Sequence, residues 1–296
     1  MIITNRNEIK NYTTKKTAVA LGSFDAIHKG HIKVISAAVC FAKENGLLSL
    51  VQIFENPGMK EALNSTSDRI EILKSLNVDI VVIEKFDEEF KSTSYSDFVR
   101  DYINARYNAA AVFAGQNYRF GYMAKGDSAL LFEECLKYNI KANIINCLEI
   151  DGIVSSTKIR KFVKAGDMER VTQYMTRPYK VRGTVVHGRE IGRKLGFPTA
   201  NINLPEEKVV PKEGVYLTRV ILGNGEIFFG ITNVGKKPTV NITSANIETH
   251  ISDFKGDIYG QEIEIEFLKR IRDIKKFDSI DLLKDQLKED LNEIPK

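Results

Sequence analysis

The pattern of apolar segments changes once along the chain, and this change constrains the fold more than any other feature. Before about residue 175, short apolar runs alternate with segments whose apolar residues recur every three or four positions. From Tyr179 onwards, short strand-like runs follow one another without helices, until a final amphipathic segment over 279–291. The first pattern predicts an α/β domain with a parallel sheet. The second predicts a small antiparallel β-barrel closed by a helix.

Length and composition agree with two globular domains. A chain of 296 residues is long enough for two separate cores, and we place the boundary at Pro178, giving domains over 1–178 and 179–296. A net charge of +4 suits anionic small substrates and does not indicate a nucleic-acid partner. Three widely spaced cysteines predict reduced, buried thiols. A polar N-terminus and the absence of long apolar runs predict a cytoplasmic protein with no membrane contact.

A glycine turn between the first long apolar strand and the following helix predicts an anion site. The strand ends at Gly22, and the apolar spacing predicts a helix over about 30–45. In this arrangement the amides at the helix start can face a bound phosphate. His28 and His31 lie three residues apart there, so both imidazoles can stabilise charge on an α-phosphate. Alternatively, one histidine caps the helix and the other is incidental.

Two further polar segments follow strands of the same domain. The segment GQNYRFG (115–121) comes after a predicted strand, at the edge where open α/β sheets bind ligands. Its aromatic residues, Tyr118 and Phe120, could instead belong to the core. The segment VSSTKIR (154–160) starts a helix, where its hydroxyls and basic groups could cap the helix or hold phosphates.

The segment GTVVHGREIGRKLGFPTAN (183–201) predicts a site in the second domain. Its glycines allow backbone amides to approach an anion, and its arginine and lysine residues add positive charge. Thr199 and Asn201 share one face of an extended segment, and their oxygens suit Mg²⁺. The alternative is a solvated loop between two strands.

Several of these segments resemble the motifs of bifunctional riboflavin kinase/FAD synthetases. HGREIGRKLGFPTAN (187–201) resembles the riboflavin kinase signature, and GSFDAIHKGH (22–31) resembles the adenylyltransferase motif GxFDGxHxGH. The segments over 115–121 and 154–160 resemble two further motifs of the FAD synthetase half. Two positions depart from the family: Ala26 replaces a usual glycine, and FENPG (54–58) replaces the common FEPHP or FDPHP.

The resemblance implies a Rossmann-like nucleotidyltransferase domain followed by a kinase barrel, and two reactions that use ATP. In the barrel, Glu248 of an ETH segment would take the hydroxyl proton of riboflavin, with Mg²⁺ at Thr199 and Asn201, to give FMN. In the first domain, His28 and His31 would assist transfer of AMP from ATP to FMN, giving FAD and pyrophosphate. The implied ATP-binding residues are Gly22, Phe24, Asp25, Ser156, Thr157, Arg160, Gly192 and Arg193, and the implied flavin-binding residues are Asn117 and Arg119.

Two alternatives stay open at the level of sequence. The FENPG departure allows a chain with a single activity, in which case riboflavin kinase would be the one kept. A regulator that binds flavin or nucleotide without turnover is the other alternative. The joint presence of His28, His31 and Glu248 favours catalysis, because binding alone would not need all three.

Overall fold

The chain forms two compact units. The computed structural model describes residues 1–55, 61–188, 196–203, 207–236 and 245–295. The first unit consists of Met1–Pro57 and Asn64–Ser156, and the second consists of Gly58–Leu63 and Thr157–Lys296. The functional boundary expected between residues 178 and 179 stays a prediction.

The first unit contains a parallel sheet of six strands in the order β1-β4-β3-β2-β5-β6. The strands are β1 (Ile2–Asn5), β2 (Thr17–Leu21), β3 (Leu48–Phe54), β4 (Ile80–Glu84), β5 (Ala109–Gly115) and β6 (Lys141–Ile145). The helices are α1 (Lys29–Glu44), α2 (Thr66–Ser75), α3 (Glu88–Ser92), α4 (Tyr95–Asp97), a π-helical segment (Phe98–Asn104) and α5 (Ser128–Leu136). Short 3₁₀ turns cover Ile9–Asn11 and Tyr122–Ala124. The predicted α/β class is therefore confirmed.

Both faces of this sheet are covered, which explains why its central strands are almost uniformly apolar. Alternate residues of β2 enter different cores: Val19 lies in one cluster, together with Ile103 of the π-helical segment, and Ala20 lies in another, together with Ile35 of α1. Every residue of β2 is buried. The sheet is thus a middle layer between helices.

The strand order creates a switch point beside β2. The chain passes from β2 to β3 and β4 on one side, and then crosses to β5 on the other side of β2. Leu21 of β2 pairs with Ala114 of β5, so the two carboxyl ends lie side by side. Ligands of open α/β sheets bind at such a point. Both the histidine motif and the segment after β5 start there.

The edge strand β1 was not expected from the sequence. It pairs in parallel with β4, and Arg6, just after it, donates from Nε to Glu84 Oε2 at 2.9 Å. Tyr107 Oη donates to the other oxygen of Glu84 at 3.0 Å. Burial raises the pKa of Glu84, and the neighbouring Arg6 opposes that shift. This buried polar contact attaches the edge strand to the sheet.

The second unit contains a closed antiparallel barrel in the order β10-β11-β8-β7-β12-β9, as predicted. Its strands are β7 (Tyr179–Val186), β8 (Thr199–Asn203), β9 (Gly214–Leu222), β10 (Ile227–Lys236), β11 (Ala245–Ile251) and β12 (Glu262–Arg272). Its helices are α6 (Ser156–Ala165), which begins at the division between the units, α7 (Met168–Met175) and α8 (Ile280–Leu291). A hairpin turn joins β9 to β10, with Gly225 at a φ of +87°.

Polar side chains hold two of the helices. Ser65 is the N-cap of α2, because Ser65 Oγ accepts a hydrogen bond from the Asp68 amide in a capping box. Arg272 of β12 attaches α8 to the barrel by donating two hydrogen bonds to the Asp290 carboxylate, from Nε at 2.8 Å and from Nη2 at 2.7 Å. The Ile280 side chain at the start of this helix is exposed.

One prediction needs correction, because the three cysteines were all expected to be buried. All three are free thiols, but only Cys135 is buried, while Cys40 is exposed. Burial raises the pKa of the Cys135 thiol to about 12, and nearby Glu134 adds to the shift.

Candidate active sites

The proposed general base of the kinase lies on the outer face of the barrel, between two asparagines. Glu248 of β11 pairs directly with Asn201 of β8 on one side and with Asn233 of β10 on the other. Such cross-strand pairs point the same way, with Cβ atoms about 5 Å apart. The flanking residues, Ile247 and Thr249, are fully buried in the barrel. The strand alternation therefore places the carboxylate and both amides on one outward surface.

The two predicted metal ligands share that surface. Ala200 lies between Thr199 and Asn201 and is buried, so the two oxygen-bearing side chains point outward together. Asn201 is nonetheless only 7% exposed. Gly188 packs directly against this side chain: a Cβ atom added to the glycine would lie only 2.3 Å from Asn201 Nδ2. The Thr199 hydroxyl and the Asn201 amide oxygen lie side by side, in a space that only a glycine at position 188 leaves open. Neutral oxygen ligands of this kind fit a hard cation such as Mg²⁺.

Two motif segments meet near this surface. The ring of His187 is stacked on that of Tyr259, with centroids 3.8 Å apart. The amide of Gly260 donates to the carbonyl of Val185 at 2.9 Å. The segment DFKGDIYG (253–260) is thereby attached to the segment that contains Gly188. Sequence reasoning did not identify Tyr259 as a partner of His187, because the two residues are far apart in the chain.

In the first unit, the two predicted catalytic histidines lie together at the start of α1. His28 is the N-cap, and its Nδ1 accepts from the His31 amide at 3.2 Å. The two rings are stacked, with centroids 3.7 Å apart. Because Nδ1 accepts a hydrogen bond, the proton of a neutral His28 is on Nε2. The cap therefore uses Nδ1 of this ring, at the positive end of the helix dipole, where an anion is favoured.

The turn before the histidines has an unusual backbone. Phe24 and Ile27 adopt positive φ values of +44° and +41°, which are costly for residues other than glycine and concentrate at functional sites. Ala26 is fully buried and is not in that region, so its departure from the family glycine causes no strain of this kind. Asp25 is also buried, and its carbonyl accepts from Asn64 Nδ2 at 2.5 Å.

The predicted ATP-binding residues of this turn are mostly inaccessible through their side chains. Gly22 directly follows β2, and an added Cβ there would lie 2.9 Å from the ring of Phe24. Phe24 and Asp25 are 1% and 2% exposed, so both residues are almost completely buried.

The predicted flavin-binding residues follow β5 and are exposed. Arg119 Nη1 lies 3.5 Å from Asp127 Oδ2. Asp127 caps α5, because its Oδ1 accepts a hydrogen bond from the Ala129 amide at 3.0 Å. Asn117 lies on the same segment, next to the end of β5. Phe120 is 7% exposed and belongs to a core cluster, so the core alternative is correct for this ring.

Only some of the remaining predicted ATP-binding residues lie in the described part of the chain. Ser156 and Thr157 open α6, as expected, and Arg160 Nε donates to the carbonyl of Glu61 at 2.8 Å. Gly192 and Arg193 lie outside the described residues, as do Asn56, Pro57 and Gly58 of the FENPG segment. A phosphate-binding role for these residues stays a prediction.

Within the described ranges, no helix combines the length and the apolar character needed to cross a membrane.

Two family models match successive parts of the chain. The model described as FAD synthetase matches residues 10–158. The model described as riboflavin kinase matches residues 175–296.

Similar proteins match over almost the full length. Proteins of Haemophilus influenzae and Bacillus subtilis, both named bifunctional riboflavin kinase/FMN adenylyltransferase, are each 33% identical to this chain. These matches cover 95% and 98% of this chain, and 94% and 95% of the relatives. An Escherichia coli protein of the same name is 29% identical over 92% of this chain and 90% of its own length.

A solved structure is similar over the whole fold. It belongs to a Streptococcus pneumoniae protein described as a macrolide-efflux protein, and it superposes with a TM-score of 0.90. The two sequences are 32% identical, and the match covers 99% of this chain and 98% of the other.

Proposed function

The chain belongs to the family of bifunctional riboflavin kinase/FMN adenylyltransferases, and we propose that the barrel face carries the first reaction and the β2–α1 turn the second. The enzyme phosphorylates riboflavin to FMN and adenylylates FMN to FAD, using ATP in both reactions. The alternatives of a single activity or a binding-only regulator are set aside, because both family models match. The observation that carries the assignment of the sites is the direct pairing of Glu248 with Asn201.

In the kinase reaction, Glu248 accepts the proton of the ribityl 5′-hydroxyl. The hydroxyl oxygen then bonds to the γ-phosphorus of ATP, and the bond from that phosphorus to the bridging oxygen breaks, releasing ADP. Thr199 and Asn201 would hold Mg²⁺, which neutralises charge on the β- and γ-phosphates when it is bound. Gly188 supports the geometry by leaving room for the Asn201 amide.

In the adenylylation, a phosphate oxygen of FMN bonds to the α-phosphorus of ATP. The bond to the bridging oxygen breaks, and pyrophosphate leaves. His28 donates from Nε2 to an α-phosphate oxygen, and His31, stacked against it, adds a second donor as charge develops. The amides of the Gly22–Asp25 turn would line the nucleotide.

The outer parts of the adenylylation site rest on the sequence resemblance. Asn117 and Arg119 are assigned to FMN, and their exposure beside the end of β5 supports this role. Ser156, Thr157 and Arg160 are assigned to the β- and γ-phosphates on their motif alone. We also infer that the protein works in the cytoplasm, where ATP is available for both reactions.

The test of the kinase assignment is the Glu248→Gln variant, which keeps the shape of the side chain and removes the base. Loss of a general base lowers the kcat of riboflavin phosphorylation by roughly 10²–10⁴-fold. FMN adenylylation by the same preparation serves as an internal control for folding, and we expect it to be unchanged. Product analysis with Mg-ATP and either riboflavin or FMN measures both rates. Kinase activity within a few fold of wild type would refute the role of Glu248.

A further inference from the structure

The carboxylate of Glu248 is held by a residue of its own strand. Asn246 Nδ2 donates to Glu248 Oε1 at 2.8 Å. Residues at i and i+2 of a strand share a face, so this contact arises directly from the geometry of β11. Within the described part of the chain, it is the only hydrogen bond of the Glu248 carboxylate.

The contact divides the two carboxylate oxygens between two tasks. Oε1 is engaged by the amide, which leaves Oε2 as the oxygen that can approach a substrate hydroxyl. A glutamate side chain has several rotatable bonds, and a hydrogen bond to its charged end limits the orientations that it samples. A general base is effective only when it lies within hydrogen-bond reach of the proton that it removes.

We propose that Asn246 is a positioning residue of the riboflavin kinase reaction, which fixes the orientation of the Glu248 carboxylate. The proposal rests on the proposed function of Glu248 as the base. Asn246 itself is partly exposed, and no other hydrogen bond of its side chain occurs among the described residues. Its contribution to folding is therefore expected to be small.

The first variant is Asn246→Ala. Because hydrogen bonds to charged groups are worth about tenfold or more, we expect the kcat of riboflavin phosphorylation to fall roughly 10- to 100-fold. The KM for riboflavin and for ATP, and the rate of FMN adenylylation, stay close to wild type. Asn246→Asp is nearly isosteric but cannot donate, so it is expected to lose at least as much kcat as the alanine variant. A packing role would leave Asn246→Asp near wild type and would overturn the proposal.

The chain offers a matched control on the turn between β9 and β10. Asn224 Nδ2 donates to Glu226 Oε2 at 2.5 Å, so this pair has the same residue types and spacing as the pair on β11. Both residues are exposed, and the turn is not part of either proposed site. Asn224→Ala is expected to leave both activities unchanged. A kinase loss in this variant equal to that of Asn246→Ala would overturn a specific role for Asn246.

A double-mutant cycle decides whether Asn246 acts through Glu248. In the Glu248→Gln background, Asn246→Ala should cause little further loss of the residual kinase rate, because the base it positions is already absent. A full additive loss would overturn the proposal. Failure of the two assignments can be distinguished: a fully active Glu248→Gln variant refutes the proposed function. An inactive Glu248→Gln beside a fully active Asn246→Ala refutes only the positioning role.

Discussion

At the scale of single residues, both proposed sites depend on side chains that use one polar atom for structure and another for chemistry. His28 caps α1 with Nδ1 and presents a protonated Nε2. Glu248 accepts a hydrogen bond from Asn246 on Oε1, and Oε2 is the oxygen proposed to take the substrate proton. The two interpretations of His28 in the sequence, as a helix cap and as an anion donor, are therefore compatible.

Substitution of His28 separates these two tasks. His28→Asn retains a good N-cap residue, whereas His28→Ala removes the cap and is expected to lower the free energy of unfolding by about 1 kcal/mol. Both variants lack the imidazole donor, so FMN adenylylation should fall by roughly 10²-fold or more. Chemical denaturation and pyrophosphate release measure the two effects. A His28→Asn variant with wild-type adenylylation would show that the residue is only a cap.

At the scale of secondary-structure elements, the arrangement of the kinase site depends on how closely the end of β7 approaches β8. Gly188 lies against the Asn201 amide with no room for a Cβ. The glycine of the HGxxxG motif is therefore explained by packing against a proposed metal ligand. Its backbone φ is outside the left-handed range, so conformational freedom is not the reason for glycine here.

Gly188→Ala is expected to displace Asn201 and lower riboflavin kinase activity at least about tenfold, since a small displacement of a positioned group is costly to catalysis. The loss should shrink as the Mg²⁺ concentration is raised. The matched control is Gly223→Ala, because an added Cβ there meets only the Glu262 carbonyl oxygen, at an ordinary 3.6 Å. Unchanged kinase activity and Mg²⁺ dependence in Gly188→Ala would contradict the proposal that Gly188 makes room for a metal-binding Asn201.

Sequence patterns predicted most elements because local apolar runs and helical spacing were strong. The helix expected over about 30–45 is α1 (Lys29–Glu44), and the barrel strands lie where the short apolar runs occur. The strand β1 was missed because only four residues form it, in a polar context, and its evidence is the distant pairing with β4. The π-helical segment Phe98–Asn104 was not anticipated by any periodicity argument.

The candidate sites were predictable to the extent that they lie within continuous motifs. Thr199, Asn201 and the histidine pair were identified in this way. Asn246 and Tyr259 were not singled out, because the first depends on a side-chain direction and the second on a contact between segments that are far apart in the sequence. Cross-strand register, which brings Asn233 beside Glu248, is a property of pairing and is not readable from one strand alone.

At the scale of the whole molecule, two units with separate cores carry two reactions that share an intermediate. The FMN formed by the kinase is the acceptor in the adenylylation. The central claim is that the barrel carries the first reaction and the parallel-sheet unit carries the second. Variants that remove one reaction should therefore leave the other unchanged.

The most direct measurement mixes two single variants. Glu248→Gln and His28→Asn are each incubated with riboflavin and Mg-ATP, alone and together, and the flavins are resolved by chromatography. We expect almost no product from Glu248→Gln alone, FMN without FAD from His28→Asn alone, and FAD from the mixture, because FMN made by one variant is used by the other. FAD formation at the wild-type rate by either variant alone, or none in the mixture, would contradict the assignment of one reaction to each unit.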